Sequence, residues 1–326
     1  MSAVNTPDPA PPAANPAQSG VPTDASAATD RASWLSILTQ IGAEEGAFEV
    51  LGDRHWSLRV DDGPTLLVSF ETIETARART GQMPLAHDLA AARGWSHLCL
   101  IADGATWYRD PAVYAYFDRL VDDCFFDGFD HVLFYGAGMG AYAACAFAVT
   151  APGAQVLALN PRATQDPSQA IWDNRNRAAR RLDFTSRFGY APDMLEGAAR
   201  VSLIYDPTLR EEAMHAALFR APHITCLPAR HVGDRAEAIL IGMEVLPGLI
   251  EAAMTGTLDA PHFAAVWRAR RNFGPYLRAI LNKAATAKRP RLEVMICRSV
   301  SARLRAPGFA RRLAALTGTK TSAGPA

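Results

Sequence analysis

The chain predicts an α/β fold built on a mostly parallel sheet, and three observations predict it. Strand-like and helix-like segments alternate from residue 96 to residue 254. A short apolar strand at 131–135 runs into a glycine turn and then a helix of small residues. At the front of the chain, 55–60 alternates apolar and polar side chains, as an antiparallel strand near a sheet edge does. Residues 33–41 have helical apolar spacing. Runs 47–51, 55–60 and 65–70 read as strands, punctuated by Gly52-Asp53 and Asp61-Asp62-Gly63. Beyond them, 96–102 is a strand. An amphipathic helix follows from Pro111 to about Phe126, with Val113, Tyr116, Phe117, Leu120 and Val121 on one face. The remaining strands are 131–135, 154–159, 201–205 and 224–227, with helices at 141–149 and 236–254. Strands joined by crossover helices imply a three-layer sandwich with helices on both faces of the sheet.

Composition sets the outer bounds. The chain has 326 residues, 49% hydrophobic and 20% charged, which suits a globular protein of one large domain or two ordinary ones. No apolar run reaches the roughly 18 residues that a membrane span needs. Residues 1–32 are rich in Pro, Ala and Ser, without a basic start or an apolar core, and read as a disordered leader rather than a signal peptide. The five cysteines are scattered and unpaired in sequence, as expected of buried free thiols in a reducing cytoplasm. The net charge of zero hides an asymmetry: residues 257–326 hold 14 Lys or Arg against two acids. This basic, helical C-terminal extension (256–326) either docks on the acidic body (33–255) or meets an acidic partner.

The glycine turn carries the chemistry. Gly136-Ala137-Gly138-Met139-Gly140 has the layout of a nucleophile elbow, Gly-x-Ser-x-Gly, with Gly138 where the serine would stand. In such folds the acid and base follow in the order Asp/Glu then His, at the ends of later strands. Here strand 201–205 ends in Asp206, and strand 224–227 is followed by His231, with separations of 68 and 25 residues from one member to the next. The order and the antiparallel second strand match the α/β-hydrolase arrangement. If Asp206 bonds the imidazole, it fixes the tautomer and makes His231 a general base. The Met139 amide and an amide near Phe70-Glu71 are the expected oxyanion donors. Equally, Asp206 reads as a turn aspartate before Pro207, and His231 as a half-buried loop histidine.

Two further readings use the same residues. Gly136-x-Gly138-x-x-Ala141 also fits a dinucleotide fingerprint, with Arg162 available for the 2′-phosphate of NADP. It explains neither Asp206 nor His231. His215, His223 and His231 recur evenly but lack a carboxylate or thiolate at ligand spacing, so no metal is expected. The polar stretch 162–196 reads as a lid insertion, in which Arg175, Arg177, Arg180 and Arg181 offer cations to an anionic ligand. No cofactor is expected.

Several segments carry a resemblance: Phe134-Tyr-Gly-Ala-Gly-Met-Gly-Ala-Tyr-Ala-Ala, Asn160-Pro-Arg-Ala-Thr-Gln-Asp-Pro, Trp172-Asp-Asn-Arg and Phe188-Gly-Tyr-Ala-Pro-Asp-Met. Together they resemble an alphaproteobacterial family of the α/β-hydrolase superfamily whose members often bear the name phosphoadenosine phosphosulfate reductase. The resemblance covers about residues 34–281. The phosphate loop Ser-Gly-Gly-x-Asp-Ser and the Glu-Cys-Gly-x-His segment of the true reductases do not occur in the sequence. Relatives elsewhere in the superfamily place Ser-Met-Gly-Gly at the turn, so Gly138 departs from acyl-enzyme chemistry. Two expectations follow: a non-catalytic binding or scaffold module for a small molecule or protein, or an enzyme that uses Asp206 and His231 without a covalent nucleophile.

Overall fold

The computed structural model describes residues 22–318. Helix α1 (Arg31–Glu45) leads into β1 (Gly46–Leu51), β2 (His55–Val60) and β3 (Thr65–Thr72). Helices α2 (Ile73–Arg77) and α3 (Leu85–Ala91) precede β4 (Ser96–Ala102). Then come α4 (Pro111–Asp122), β5 (His131–Ala137), α5 (Met139–Phe147) and β6 (Gln155–Leu159). Helix α6 (Pro167–Ala170) lies in the polar stretch, followed by β7 (Arg200–Tyr205), α7 (Arg210–Ala216) and β8 (Ile224–Pro228). Six helices follow: α8 (Ala236–Gly242), α9 (Leu246–Met254), α10 (Ala260–Val266), α11 (Gly274–Thr286), α12 (Pro290–Arg303) and α13 (Pro307–Thr317).

The eight strands form one sheet in the order β1-β2-β4-β3-β5-β6-β7-β8. β2 is antiparallel to both its neighbours, and the pairs from β3 to β8 are parallel. The first crossing over β3 and the antiparallel β2 define the α/β-hydrolase fold, with helices on both faces.

Alternation along the strands explains the layers. Val132 and Phe134 of β5 join Phe70, Leu100 and Leu203 under α4, α5 and the segment that contains Phe184 and Phe188. Leu133 and Tyr135 point the other way, into a core with Leu157, Leu159, Ile204 and Leu249 that extends to Cys297 and Phe309 of the C-terminal helices. A smaller cluster at the β2 end packs Trp34 and Leu38 of α1 on Trp56 and Ile101. Strands buried on both faces read as continuous apolar runs, which is why they were visible in the sequence.

Several boundaries differ from the sequence reading. The part of the expected leader at 1–21 lies outside the described residues. Its remainder is packed: Ala25 and Ala28 are buried in the Trp34 cluster, and Asp30 caps α1 through the Ser33 amide. The expected helix 236–254 is two helices, because Pro247 opens α9 and lacks the amide that would continue α8. Cys99, Cys145 and Cys297 are buried free thiols, but Cys124 and Cys226 are exposed. Among the described residues, no helix is long and apolar enough to cross a membrane.

Candidate functional site

The residues that the sequence singles out follow the C-terminal ends of β5, β7 and β8. At the end of β5 the chain turns through Gly138 at φ 57°, ψ −111° and enters α5 immediately. That backbone lies in a region costly for an L side chain, and glycine relieves the strain. A methyl group built at Gly138 would touch nothing within 4 Å, and Ala137 to Met139 are half-exposed. The flanking glycines are the reverse. A Cβ at Gly136 would lie 2.2 Å from the Gly140 carbonyl oxygen, and one at Gly140 would lie 2.4 Å from that of Phe70. Strand and helix therefore meet at backbone contact, while the tip of the turn faces open space.

The expected oxyanion donors are placed as follows. The Met139 amide is the first of α5, in the turn whose donors lack intrahelical acceptors. The Met139 sulfur accepts from the Trp107 amide at 3.0 Å, so its side chain is turned to the loop after β4. The peptide near Phe70-Glu71 falls inside β3, which runs on to Thr72, instead of in a loop beyond it. The Glu71 carboxylate accepts from Arg79 Nη1 at 2.5 Å and from the Leu85 amide. Burial nevertheless pushes its carboxyl up to about 7, and nearby Glu237 adds to the rise against the Arg79 charge.

Asp206 is completely buried, and its carboxylate serves the loops around it. Oδ1 accepts from the Thr208 amide (2.9 Å), the Thr208 hydroxyl (2.7 Å) and the His231 backbone amide (2.9 Å), and Oδ2 accepts from the Gly233 amide (2.9 Å). Burial raises the carboxyl, but these hydrogen bonds outweigh it and hold Asp206 below the usual range. The structure thus brings Asp206 and His231 together through the main chain. The imidazole meets the acid only indirectly: its Nδ1 lies 3.3 Å from the Thr208 hydroxyl. His231 has φ 65°, and its ring lines a cavity with Lys283, Arg289 and Ile280 of the C-terminal helices. Burial and the Lys283 charge lower its pKa.

A denser polar cluster occupies the ends of β6 and β7. Arg162 donates to Asp173 at 2.8 Å, and Arg175 grips the same carboxylate with two bonds of 2.8 Å. His215 Nε2 lies 2.9 Å from Asp173, and Arg175 also reaches Glu212 at 2.7 Å. Asn160, at φ 52°, donates to Glu212 (3.0 Å) and accepts from the Ala236 amide (3.0 Å). Burial pushes the Asp173 carboxyl up, but its bonds from His215 and Arg175 and the Arg162 charge hold it well below the carboxylate range. Sequence reading missed the cluster as a unit, although Trp172-Asp-Asn-Arg and the His215 spacing marked its members. The network corrects two expectations. Arg162 is committed to Asp173 and Glu212 instead of being free for a 2′-phosphate. Arg175 and Arg180 are likewise engaged, Arg180 with the Ile171 and Asp173 carbonyls.

The segment 162–196 is fastened to the body. Tyr142 of α5 donates to the Phe188 carbonyl at 2.6 Å, and Arg109 reaches the Asp183 and Arg187 carbonyls. Phe184 and Phe188 are buried against α5, because their aromatic surface is better held in the core than over solvent. Among the described residues, no group of three or more His, Cys, Asp or Glu side chains is placed to hold a metal ion.

No family model matches the chain, and no curated protein matches it in sequence. Among solved structures the chain has similarities of low identity. A capsule O-acetyltransferase of Neisseria meningitidis serogroup A is 10% identical over 65% of this chain and 99% of its own, with a TM-score of 0.39. MPT51 (FbpC1) of Mycobacterium tuberculosis is 14% identical over 63% and 95%, at 0.40. Brefeldin A esterase, a bacterial homologue of human hormone-sensitive lipase, is 18% identical over 68% and 77%, at 0.41. The α/β-hydrolase architecture of this chain rests on its own strand order and directions.

Proposed function

We propose that this protein is a degenerate α/β-hydrolase-fold module that binds a ligand and does not turn it over by acyl-enzyme chemistry. The observation that carries the reading is the turn at Gly138. It keeps the backbone that presents a nucleophile at the end of the central strand, with no side chain there to attack. Support comes from the acid position, where the Asp206 carboxylate is consumed by three backbone amides and a threonine hydroxyl.

A second reading rests on the Thr208 hydroxyl, which joins Asp206 to the imidazole of His231. In it, His231 abstracts a proton and the Met139 amide holds the developing oxyanion, without a covalent step. Hydrolysis of short-chain p-nitrophenyl esters by wild type, His231→Ala, Gly138→Ser and Gly138→Ser with His231→Ala separates the two. The binding-module reading expects wild type at the solvent rate and less than about a tenfold gain for Gly138→Ser, since a working general base contributes about 10²–10⁴-fold. Wild-type turnover that disappears in His231→Ala would overturn it; a hundredfold gain in Gly138→Ser that needs His231 would restore the Asp206–His231 pair and confine the loss to the nucleophile.

A further inference from the structure

We propose that the groove between α11 and α12 is a binding site for a long-chain carboxylate, an anionic amphiphile with a single alkyl chain. The inference deepens the binding-module reading and rests on it. Two cavities of about 520 and 320 Å³ lie side by side and share Tyr276, Ile280, Leu292 and Ile296, so they form one trough with an apolar floor. Their sizes fall in the range of small-molecule sites, roughly 300–1,000 Å³. Two floor and wall residues on α12 are open to solvent: Leu292 is 39% exposed and Met295 67%.

Cations stand at both ends of the trough. Arg270, Arg271 and Arg303 flank one end, and Lys283 and Arg289 flank the other beside His231. The two acids of residues 257–326 are used elsewhere. Asp259 caps α10, and buried Glu293 is paired with Arg312. Among the described residues, none of the five groove cations has a carboxylate partner. Arg303 and Arg270 are held by main-chain carbonyls, at Arg271 and Trp267. Among the described residues, the side chains of Lys283, Arg289 and Arg271 make no hydrogen bond or ion pair; two of these free cations stand at the His231 end against one at the other, which assigns the head group to the His231 end. An alkyl chain lying over Ile280, Leu292 and Ile296 then leaves water while the carboxylate stays between two cations. Charge alone would suit any anion, and an apolar floor alone any hydrophobe; the two together select a molecule that has both.

Titration calorimetry of the full chain with dodecanoate, octanoate and methyl dodecanoate tests the assignment. One dodecanoate per chain is expected. Octanoate should bind at least tenfold more weakly, since each buried methylene is worth about fourfold. Methyl dodecanoate should lose at least tenfold through its missing charge. The double variant Lys283→Ala with Arg289→Ala should lose at least tenfold for dodecanoate and little for the ester. Both residues are exposed, so the variant is expected to keep the wild-type circular dichroism. Ile280→Glu should abolish binding of both ligands.

Absence of saturable dodecanoate binding overturns the proposal, as does binding that neither variant weakens. Binding to anionic phospholipid vesicles without binding of dodecanoate overturns it in favour of a membrane surface. A dimer dispersed by Leu292→Glu overturns it in favour of a second copy of this chain. The two readings fail separately. Hydrolysis of p-nitrophenyl dodecanoate by wild type would end the non-catalytic reading and leave the calorimetry standing, whereas missing affinity with no hydrolysis would leave only the groove assignment refuted.

Discussion

The glycine turn after β5 and the polar edge after β6 and β7 lie on the same rim of the sheet, yet they are built in opposite ways. At the turn the backbone is tightly constrained and the tip is bare: Gly136 and Gly140 touch backbone, and Gly138 faces open space. At the polar edge the side chains are present and none of the acids is idle. Asp206 holds two loops, and Asp173 holds Arg162, Arg175 and His215. The comparison teaches that backbone packing alone can build a tight strand-to-helix turn, while polar groups on the same rim of the sheet hold loops. A group that is fully engaged by main-chain amides stabilises the fold and is not available to orient a base.

If that contrast is right, substitutions on the polar edge should cost the most. Asp173→Ala leaves buried Arg162 with only Glu212, 3.5 Å away, takes the carboxylate from Arg175 and His215, and should lower unfolding stability by about 3–5 kcal/mol, measured by urea titration. A loss below 1 kcal/mol would mean the cluster is not the lock described.

Beneath the turn, Glu71 gives a pH signature of roughly 3 kcal/mol, from a rise of the carboxyl to about 7. The folded state holds this proton more tightly than the unfolded chain does, so stability should fall as pH rises from about 4.5 to about 7 and level off above. Glu71→Gln should remove that fall. An unchanged slope in the variant would show that the carboxylate is ionised in the folded state at lower pH.

The smallest effects separate the glycines. Gly140→Ala forces a methyl onto the Phe70 carbonyl and should cost up to about 3 kcal/mol, the top of the overpacking range. Gly138→Ala meets no atom and bears only the strain of φ 57°, ψ −111°, on the order of 1–3 kcal/mol. Equal losses in thermal melts would break the distinction between a constrained frame and an open tip.

Much of this frame was legible in the sequence. Strands buried on both faces, such as Val132-Leu-Phe-Tyr135, announce themselves by apolar runs, and the Gly-x-Gly-x-Gly turn marks its own position. The antiparallel second strand was visible from its alternation. Other features depend on long-range partners that no local pattern encodes. The sequence placed Asp206 and His231 on suitable loops, but it held no sign that the carboxylate would take the His231 amide instead of the ring. Arg175 read as a free cation because its acids, Asp173 and Glu212, come together only when α7 packs beside the end of β6. Phe184 and Phe188 sit in a polar stretch that looks like a surface excursion, and only the surface of α5 gives them a place to be buried. The helices α2 and α3 are short and carry little periodicity, so tertiary packing decides them.

The central claim is that the imidazole of His231 belongs to the basic C-terminal groove and not to a catalytic pair with Asp206. An NMR titration of the His231 ring in wild type, Lys283→Ala and Asp206→Asn tests it most directly. The account predicts a pKa below the ordinary histidine value of about 6.5 in wild type, which moves up when the Lys283 charge is removed. A pKa above that value, unmoved by Lys283→Ala and lowered by about a unit or more in Asp206→Asn, would contradict it and restore the acid–base pair.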